Sequence, residues 1–286
     1  MTYKDIIKQI KNLEIQGAEN VAVAGVKAFA LKLEETRDKK DLEHAYQELK
    51  NTRATEPALR NALRYCLENY QNNPDVTDDV IKHFKESKKH IAEYGAKKIH
   101  DGMIVFTHCH SSTVRVIIEK AFEQGKKFEV YNTETRPKFQ GRKTATKLAK
   151  KGIPVTHFVD SAGRSMLRKA DLFLFGCDAV TSEGKLINKI GTEMLAECAH
   201  DCRIPAYSCT NSWKFNPDTV YGFEEEIEER DTKEVWEKPP KGVRIYNPAF
   251  EITAPDIFTG VITELGIFKP ETLVHEVQMA YPWMFD

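Results

Sequence analysis

The first third of the chain has one hydrophobic rhythm and the remainder another. Up to about residue 95, apolar positions recur at helical spacing. Ile6, Ile7, Ile10 and Leu13 form one set, Val23, Val26, Ala30 and Leu33 a second, and Leu59, Leu63 and Leu67 a third. Asn72, Asn73 and Pro74 break the pattern before a Lys-rich helical stretch, Ile81 to Tyr94. From Gly102 onward short β-rich runs alternate with helical stretches. The runs are Met103–Thr107, Phe128–Tyr131, Val155–Val159, Leu172–Phe175, Ala206–Ser208 and Val261–Thr263; Ser112–Gln124, Thr144–Lys151 and Thr192–His200 lie between them. Such alternation predicts an α/β fold, a parallel sheet with helices on both faces. Ligands of these sheets bind at the carboxyl ends of the strands, so the chemistry is expected there.

Composition narrows the class. The chain has 286 residues, enough for a large core, and 30% are charged with a formal net charge of -1. Balanced signs give no global attraction to nucleic acid or to an anionic membrane. The start, MTYKDIIKQIKNLE, lacks the apolar core of a signal peptide, and no run of about 18 apolar residues occurs. The expectation is a cytoplasmic protein with no membrane and no nucleic-acid partner. Six cysteines at 66, 109, 177, 198, 202 and 209 are too scattered for a disulfide scaffold, so reduced thiols are expected. Neither GxGxxG after a strand nor GxxxxGK[ST] occurs, which sets aside a nicotinamide dehydrogenase and a P-loop nucleotidase. The acidic run Glu224–Arg230 reads as a solvated helix face.

Two strand ends carry candidate chemistry. In Met103–Thr113 an apolar strand runs into Cys109 and then into Ser111, Ser112 and Thr113. Those residues can cap a helix whose amino-terminal amides attract anions. A thiol there is expected to have a lowered pKa, although a buried, inert cysteine is the common alternative. A metal site at His108, Cys109 and His110 lacks a second ligand pair at zinc spacing. The second strand, Leu172–Phe175, ends in Gly176, Cys177 and Asp178. Asp at a strand end is often a turn former. Two acid/base-capable groups on two strand ends of one sheet nevertheless suit proton transfer at carbon, and a partly desolvated Asp can remain a proton donor. Asn188 and Lys189, before Gly191, can hold hydroxyls and phosphate, or can belong to an ordinary turn and cap. Arg53, Arg136 and Lys214 are dispersed cations suited to a phosphate dianion, or to plain surface exposure. Cys198 and Cys202, four apart with His200 between them, read as packing.

Taken together, THCHSSTV, TETRPKFQG, GCDAVTSEG, INKIGT and NPAFEITAPDIFTGVITELG resemble one superfamily. It joins archaeal ribose-1,5-bisphosphate isomerases, methylthioribose-1-phosphate isomerases and the alpha, beta and delta subunits of translation initiation factor 2B. The resemblance implies an N-terminal helical domain over residues 1–98 and a C-terminal Rossmann-like parallel-sheet domain over 99–286. The ribose-bisphosphate branch is most similar, in THCHS and in SWKF with Lys214. By that resemblance Cys109 accepts the substrate C2 proton and Asp178 donates a proton during ring opening. Gln16, Gly17, Ala18, Glu19, Arg53, Ser111, Ser112, Thr113, Asn188, Lys189 and Lys214 bind substrate, with Arg136 a further phosphate contact. It implies a sugar-bisphosphate substrate, ribulose 1,5-bisphosphate as product in nucleotide ribose salvage, no metal, no organic cofactor, and a homodimer or larger homo-oligomer. Three segments depart from the family pattern. Its Arg-Gly-Ala-Gly loop is Gln16-Gly-Ala-Glu19 here, its Arg-Pro is Arg53-Ala54, and its Lys after THCHS is Ser112. A carboxylate at 19 is unfavourable beside phosphate. A methylthioribose-1-phosphate isomerase and a non-catalytic, nucleotide-sensing 2B-like protein are the alternatives.

Overall fold

A computed structural model describes residues 1–53 and 55–285; Ala54 and Asp286 lie outside the described residues. Five helices come first: α1 (Tyr3–Lys11), α2 (Ala18–Glu35), α3 (Lys39–Lys50), α4 (Pro57–Asn69) and α5 (Val76–Ala96). Thr2 and Asp5 close a reciprocal cap on α1, with Asp5 N–H donating to Thr2 Oγ1 at 3.2 Å and Thr2 N–H to the Asp5 carboxylate at 2.9 Å. Ile6, Ile7 and Ile10 are buried as expected, but Leu13 sits beyond the helix in a left-handed turn, φ 61°. Helix α3 lies between the apolar sets picked out in the sequence. It buries only Leu42, Ala45 and Leu49, a stripe too thin to stand out among its charges.

Seven strands form the main sheet: β1 (Ile104–Thr107), β2 (Glu129–Thr133), β3 (Val155–Phe158), β4 (Leu172–Phe175), β7 (Ala206–Cys209), β9 (Gly260–Ile262) and β10 (Ile267–Phe268). Their spatial order is β3-β2-β1-β4-β7-β9-β10, parallel except for β10. Helices α6 (Ser112–Glu123), α7 (Gln140–Lys150), α8 (Gly163–Leu167), α9 (Thr192–Asp201) and α10 (Pro270–Ala280) complete the α/β part. β4 is buried on both faces, as a strand covered by helices must be. Phe173 and Phe175 point into a core shared with Ile10, Phe29, Leu59 and Leu63 of the leading helices. Leu172 and Leu174 point into the opposite core with Ile91, Ile117 and Leu148. Most of the helical part is thus built onto one sheet face, while the end of α5, with Ile91 and Ala96, reaches the other. Each fully buried Leu or Phe contributes about 1.5–3 kcal/mol relative to exposure.

Two features differ from the sequence reading. Within Gly184–Thr192, Leu186–Lys189 is a strand, β6, in a small antiparallel sheet with β5 (Ala179–Val180) and β8 (Phe250–Thr253), while Gly191 and Thr192 begin α9 as expected. Runs this short carry almost no periodicity. The acidic run Glu224–Arg230 is not a helix. It is extended and lies against the leading helices, with Glu225 buried and paired with Arg60 at 2.7 Å. Among the described residues, no helix is long and apolar enough to cross a membrane.

β1 leads through α6 to β2 on one side, while β4 lies on its other side. The crevice between their carboxyl ends is the topological switch point, where open α/β sheets bind ligands. Cys109 and Asp178 both stand there.

Candidate active site

Cys109 occupies an unusual backbone position, φ 66°, which costs a non-glycine residue about 1–3 kcal/mol. A frame of part-buried hydrogen bonds holds it. Its N–H donates to Thr135 Oγ1 at 3.0 Å, and its carbonyl accepts from Thr144 Oγ1 at 2.9 Å. Thr135 is fixed in turn by Asp160, whose carboxylate accepts the N–H groups of Thr135 and Arg136, each at 2.7 Å. Helix α7 approaches so closely that a Cβ on Gly141 would lie 1.8 Å from the Thr133 carbonyl oxygen. His108 is fully engaged: Nε2 donates to the Ile190 carbonyl at 2.9 Å, so Nδ1 accepts from Thr133 Oγ1 at 2.6 Å. Burial lowers its pKa. Both ring nitrogens are spent on the frame and neither is free to ligate a metal.

The electrostatics of the thiol run opposite to the sequence expectation. Burial pushes Cys109 up to about 11, outweighing the nearby Lys189 charge and the His110 amide. Asp178 is also raised, again by burial, against the opposing charges of Lys214, Lys189 and Arg53. Both groups therefore hold their protons more tightly than in water.

The predicted binding residues gather at one place, with exceptions. Gly17 and Ala18 at the start of α2, and Ser111, Ser112 and Thr113 at the start of α6, line a pocket with Cys109, Asp178, Asn188 and Lys214. Two helix amino termini thus open on it, which suits an anion. Ser111 Oγ accepts from the Val114 N–H at 3.3 Å and caps α6. The chain crosses closely here: a Cβ on Gly176 would come 2.9 Å from Ser111 Cβ. Asn188 Nδ2 donates to Thr192 Oγ1 at 2.9 Å. Lys214 is buried and its Nζ donates to the Cys177 carbonyl. Glu19 lines the same pocket, but Lys88 neutralises it at 2.6 Å, which removes much of its expected conflict with phosphate. Gln16 donates through Nε2 to Leu13 O at 2.6 Å.

A larger cavity of about 500 Å³ adjoins and shares Cys109, Ser112 and Asp178. That volume fits a small metabolite. Its wall carries Arg53, Lys88, Arg115, Lys138, Lys143, Lys147, Lys189 and Arg230 against only Glu56 and Asp178. Arg53 is not free: it pairs with Glu228 at 2.6 Å, and Glu228 also meets Arg230 at 3.3 Å. Arg136 does not line either cavity. Its guanidinium stacks over Phe139 at 5.2 Å and donates to Val235 O at 3.4 Å. Cys198 is buried and Cys202 half-buried along α9, consistent with packing.

Several site residues escape sequence reasoning. Thr135, Thr144 and Asp160 act only through the fold. Lys143 and Lys147 carry a faint signal, two lysines four apart near a predicted helix start. Glu56, before Pro57, looks like an ordinary helix entry. It is buried, one carboxylate oxygen has no hydrogen-bond partner, and burial together with Asp178 raises its pKa to about 8 against Arg53 and Lys214.

Known proteins resemble the chain over almost its whole length. A ribose 1,5-bisphosphate isomerase of Pyrococcus furiosus is 36% identical over 306 aligned residues, covering 98% of this chain and 94% of the relative. A methylthioribose-1-phosphate isomerase of Thermoanaerobacter sp. is 30% identical over 303 aligned residues, covering 94% of this chain and 88% of the relative. The crystal structure of translation initiation factor eIF-2B from Pyrococcus horikoshii superposes with a TM-score of 0.83 at 31% identity, covering 94% of this chain and 97% of that one. The model of the Initiation factor 2 subunit family matches residues 14–270, and the chain belongs to that family.

Proposed function

We propose that this chain is an aldose–ketose isomerase converting ribose 1,5-bisphosphate to ribulose 1,5-bisphosphate. The observation that carries the reading is the pairing of Cys109 and Asp178 on adjacent strand ends, facing one cation-rich cavity. Relatives named ribose 1,5-bisphosphate isomerase, 36% identical over nearly the whole chain, support the same reading. The cavity favours a substrate with two phosphates over one with an apolar thioether.

The chemistry balances with two groups. Asp178 gives a proton to the ring oxygen as the C1–O ring bond breaks. Cys109, as thiolate, takes the C2 proton, leaving an enol phosphate across C1 and C2. The thiol returns its proton to C1, and the C2 hydroxyl proton passes to the Asp178 carboxylate as the ketone forms. Each group ends as it began. The pocket at the two helix starts receives the C1 phosphate, beside the reacting carbons.

One observation favours a binding protein without turnover: Arg53, the expected phosphate ligand, is held by Glu228. Turnover followed by phosphorus NMR separates the readings. The expected outcome is ribulose 1,5-bisphosphate from the native chain and not from Cys109→Ser. Binding without conversion by the native chain moves the assignment to the factor-like reading. We also propose a cytoplasmic homodimer or larger assembly. Tyr221, Phe223, Trp236 and Tyr246 are each exposed on the 220–246 segment, apolar area that a second copy would cover. A monomer mass by light scattering overturns that.

A further inference from the structure

The larger cavity has a wall that the proton chemistry does not use. Lys88 from α5, Arg115 from α6, and Lys143 and Lys147 from α7 converge there beside His110. Their charges act on one another. Lys147, exposed but partly desolvated at the cavity wall, is held below the usual lysine range by that desolvation and by Arg115 and Lys143. His110 is pushed down to about 4 by burial, Lys143, Lys147 and Arg115. Two of the cations are answered within the protein: Lys88 by Glu19 at 2.6 Å, and Arg115 by Glu119 through two contacts at 2.5 and 2.6 Å. Among the described residues, no carboxylate pairs with Lys143 or Lys147. Like charges four apart on one helix disfavour that helix, and nothing in the fold requires them.

We propose that Lys143 and Lys147, with Arg115 behind them, form a second phosphate site that receives the C5 phosphate of the bisphosphate. The inference rests on the isomerase reading, because the C1 phosphate is given to the helix starts beside Cys109. The lysines line the same cavity as Cys109 and Asp178, so one ligand can reach both places. They also supply positive charge on the wall that holds uncharged Ser112 and Gln16. Specificity for two phosphates then resides in α7 and not in the strand ends.

The test compares ligand binding by calorimetry in the native chain and in a Lys143→Ala, Lys147→Ala double variant. Both side chains are exposed and alanine keeps α7 helical, so folding is not at stake. Ribose 1,5-bisphosphate is expected to bind at least about tenfold more weakly to the variant, about 1.4 kcal/mol. Ribose 1-phosphate, which lacks the C5 phosphate, is expected to bind both proteins alike. Equal weakening of both ligands, or of neither, overturns the site. So does a native chain that fails to bind the bisphosphate. A native chain that binds with this lysine dependence but does not isomerise leaves the phosphate site standing and removes only the isomerase reading.

Discussion

Two regions border the cavity and are held in different ways. At the ends of β1 and β2, Cys109, Thr133, Thr135, Thr144 and His108 are buried or half-buried and joined by hydrogen bonds of defined direction. Across the cavity, residues 222–249 reach the leading helices largely through ion pairs: Arg60 with Glu225 and Arg53 with Glu228, besides a hydrogen bond from Thr55 Oγ1 to the Glu226 carbonyl. Directional bonds fix an atom; ion pairs hold a surface but exchange partners with any competing anion. On the proposed reading, the difference suits the first region to the chemistry and the second to access and charge balance.

The largest expected effect lies in the first region. Cys109→Ser replaces the proposed proton acceptor with a group that does not ionise, and turnover is expected to fall about 10²–10⁴-fold, with the fold unchanged by circular dichroism. The native pH profile sharpens this. Below the raised Asp178 value both groups are protonated, and above about 11 neither is, so kcat/KM should rise with pH and fall only near 11. Measured in a Glu56→Gln background, a fall starting below pH 9 would mean that the thiol is not buried as described.

Next in size is Glu56, on the edge facing residues 222–249. Its folded pKa of about 8 exceeds its ordinary value of 4.5, so folding favours the protonated form. Stability is then full below about 4.5 and declines as pH rises through 8. Glu56→Gln should remove that decline and raise stability at pH 8 by on the order of a few kcal/mol, with little change at pH 4. Urea denaturation at both pH values decides it; equal effects at the two would place the carboxylate in water.

Asp160→Asn returns to the first region. It weakens two charge-assisted bonds to the Thr135 and Arg136 amides and should cost about 1.5–3 kcal/mol of stability. Turnover should fall more than the lost stability accounts for, because Cys109 loses the support for its left-handed backbone.

The same contrast explains what was legible. The strand ends are readable because apolar runs such as Ile104–Phe106 and Leu172–Phe175 stop at Cys109 and Asp178, and chain alternation places such strands in one parallel sheet. The helix start at Ser112 is readable from local capping chemistry; that at Ala18 is not, because its cap is Gly17 with no side-chain bond. The second region is not, since its meaning lies in distant partners. Glu225 and Glu228 look like solvated charges until Arg60 and Arg53, 165 and 175 residues away, are brought opposite them. For the same reason Arg53 reads as a free phosphate ligand. The lowered thiol pKa fails because a helix end is visible in sequence, whereas depth of burial, which outweighs it at Cys109, is not.

The smallest effect tests exchange at that ion pair. Arg53 is almost fully buried and Glu228 is the carboxylate it meets at 2.6 Å, so an incoming phosphate must compete with Glu228 for it. Glu228→Gln keeps an acceptor of the same shape but removes the charge. Arg53 and Arg230 then face the cavity less well compensated. Bisphosphate affinity should rise a few-fold, less than about 1 kcal/mol, since part of the gain is offset by weaker anchoring of residues 222–249. The rise should shrink as salt is added, because a bare charge pair is screened. An affinity that falls instead would show that Glu228 positions Arg53 for the ligand and does not compete with it, and the ion-paired region would then belong to the binding machinery as firmly as the strand ends do.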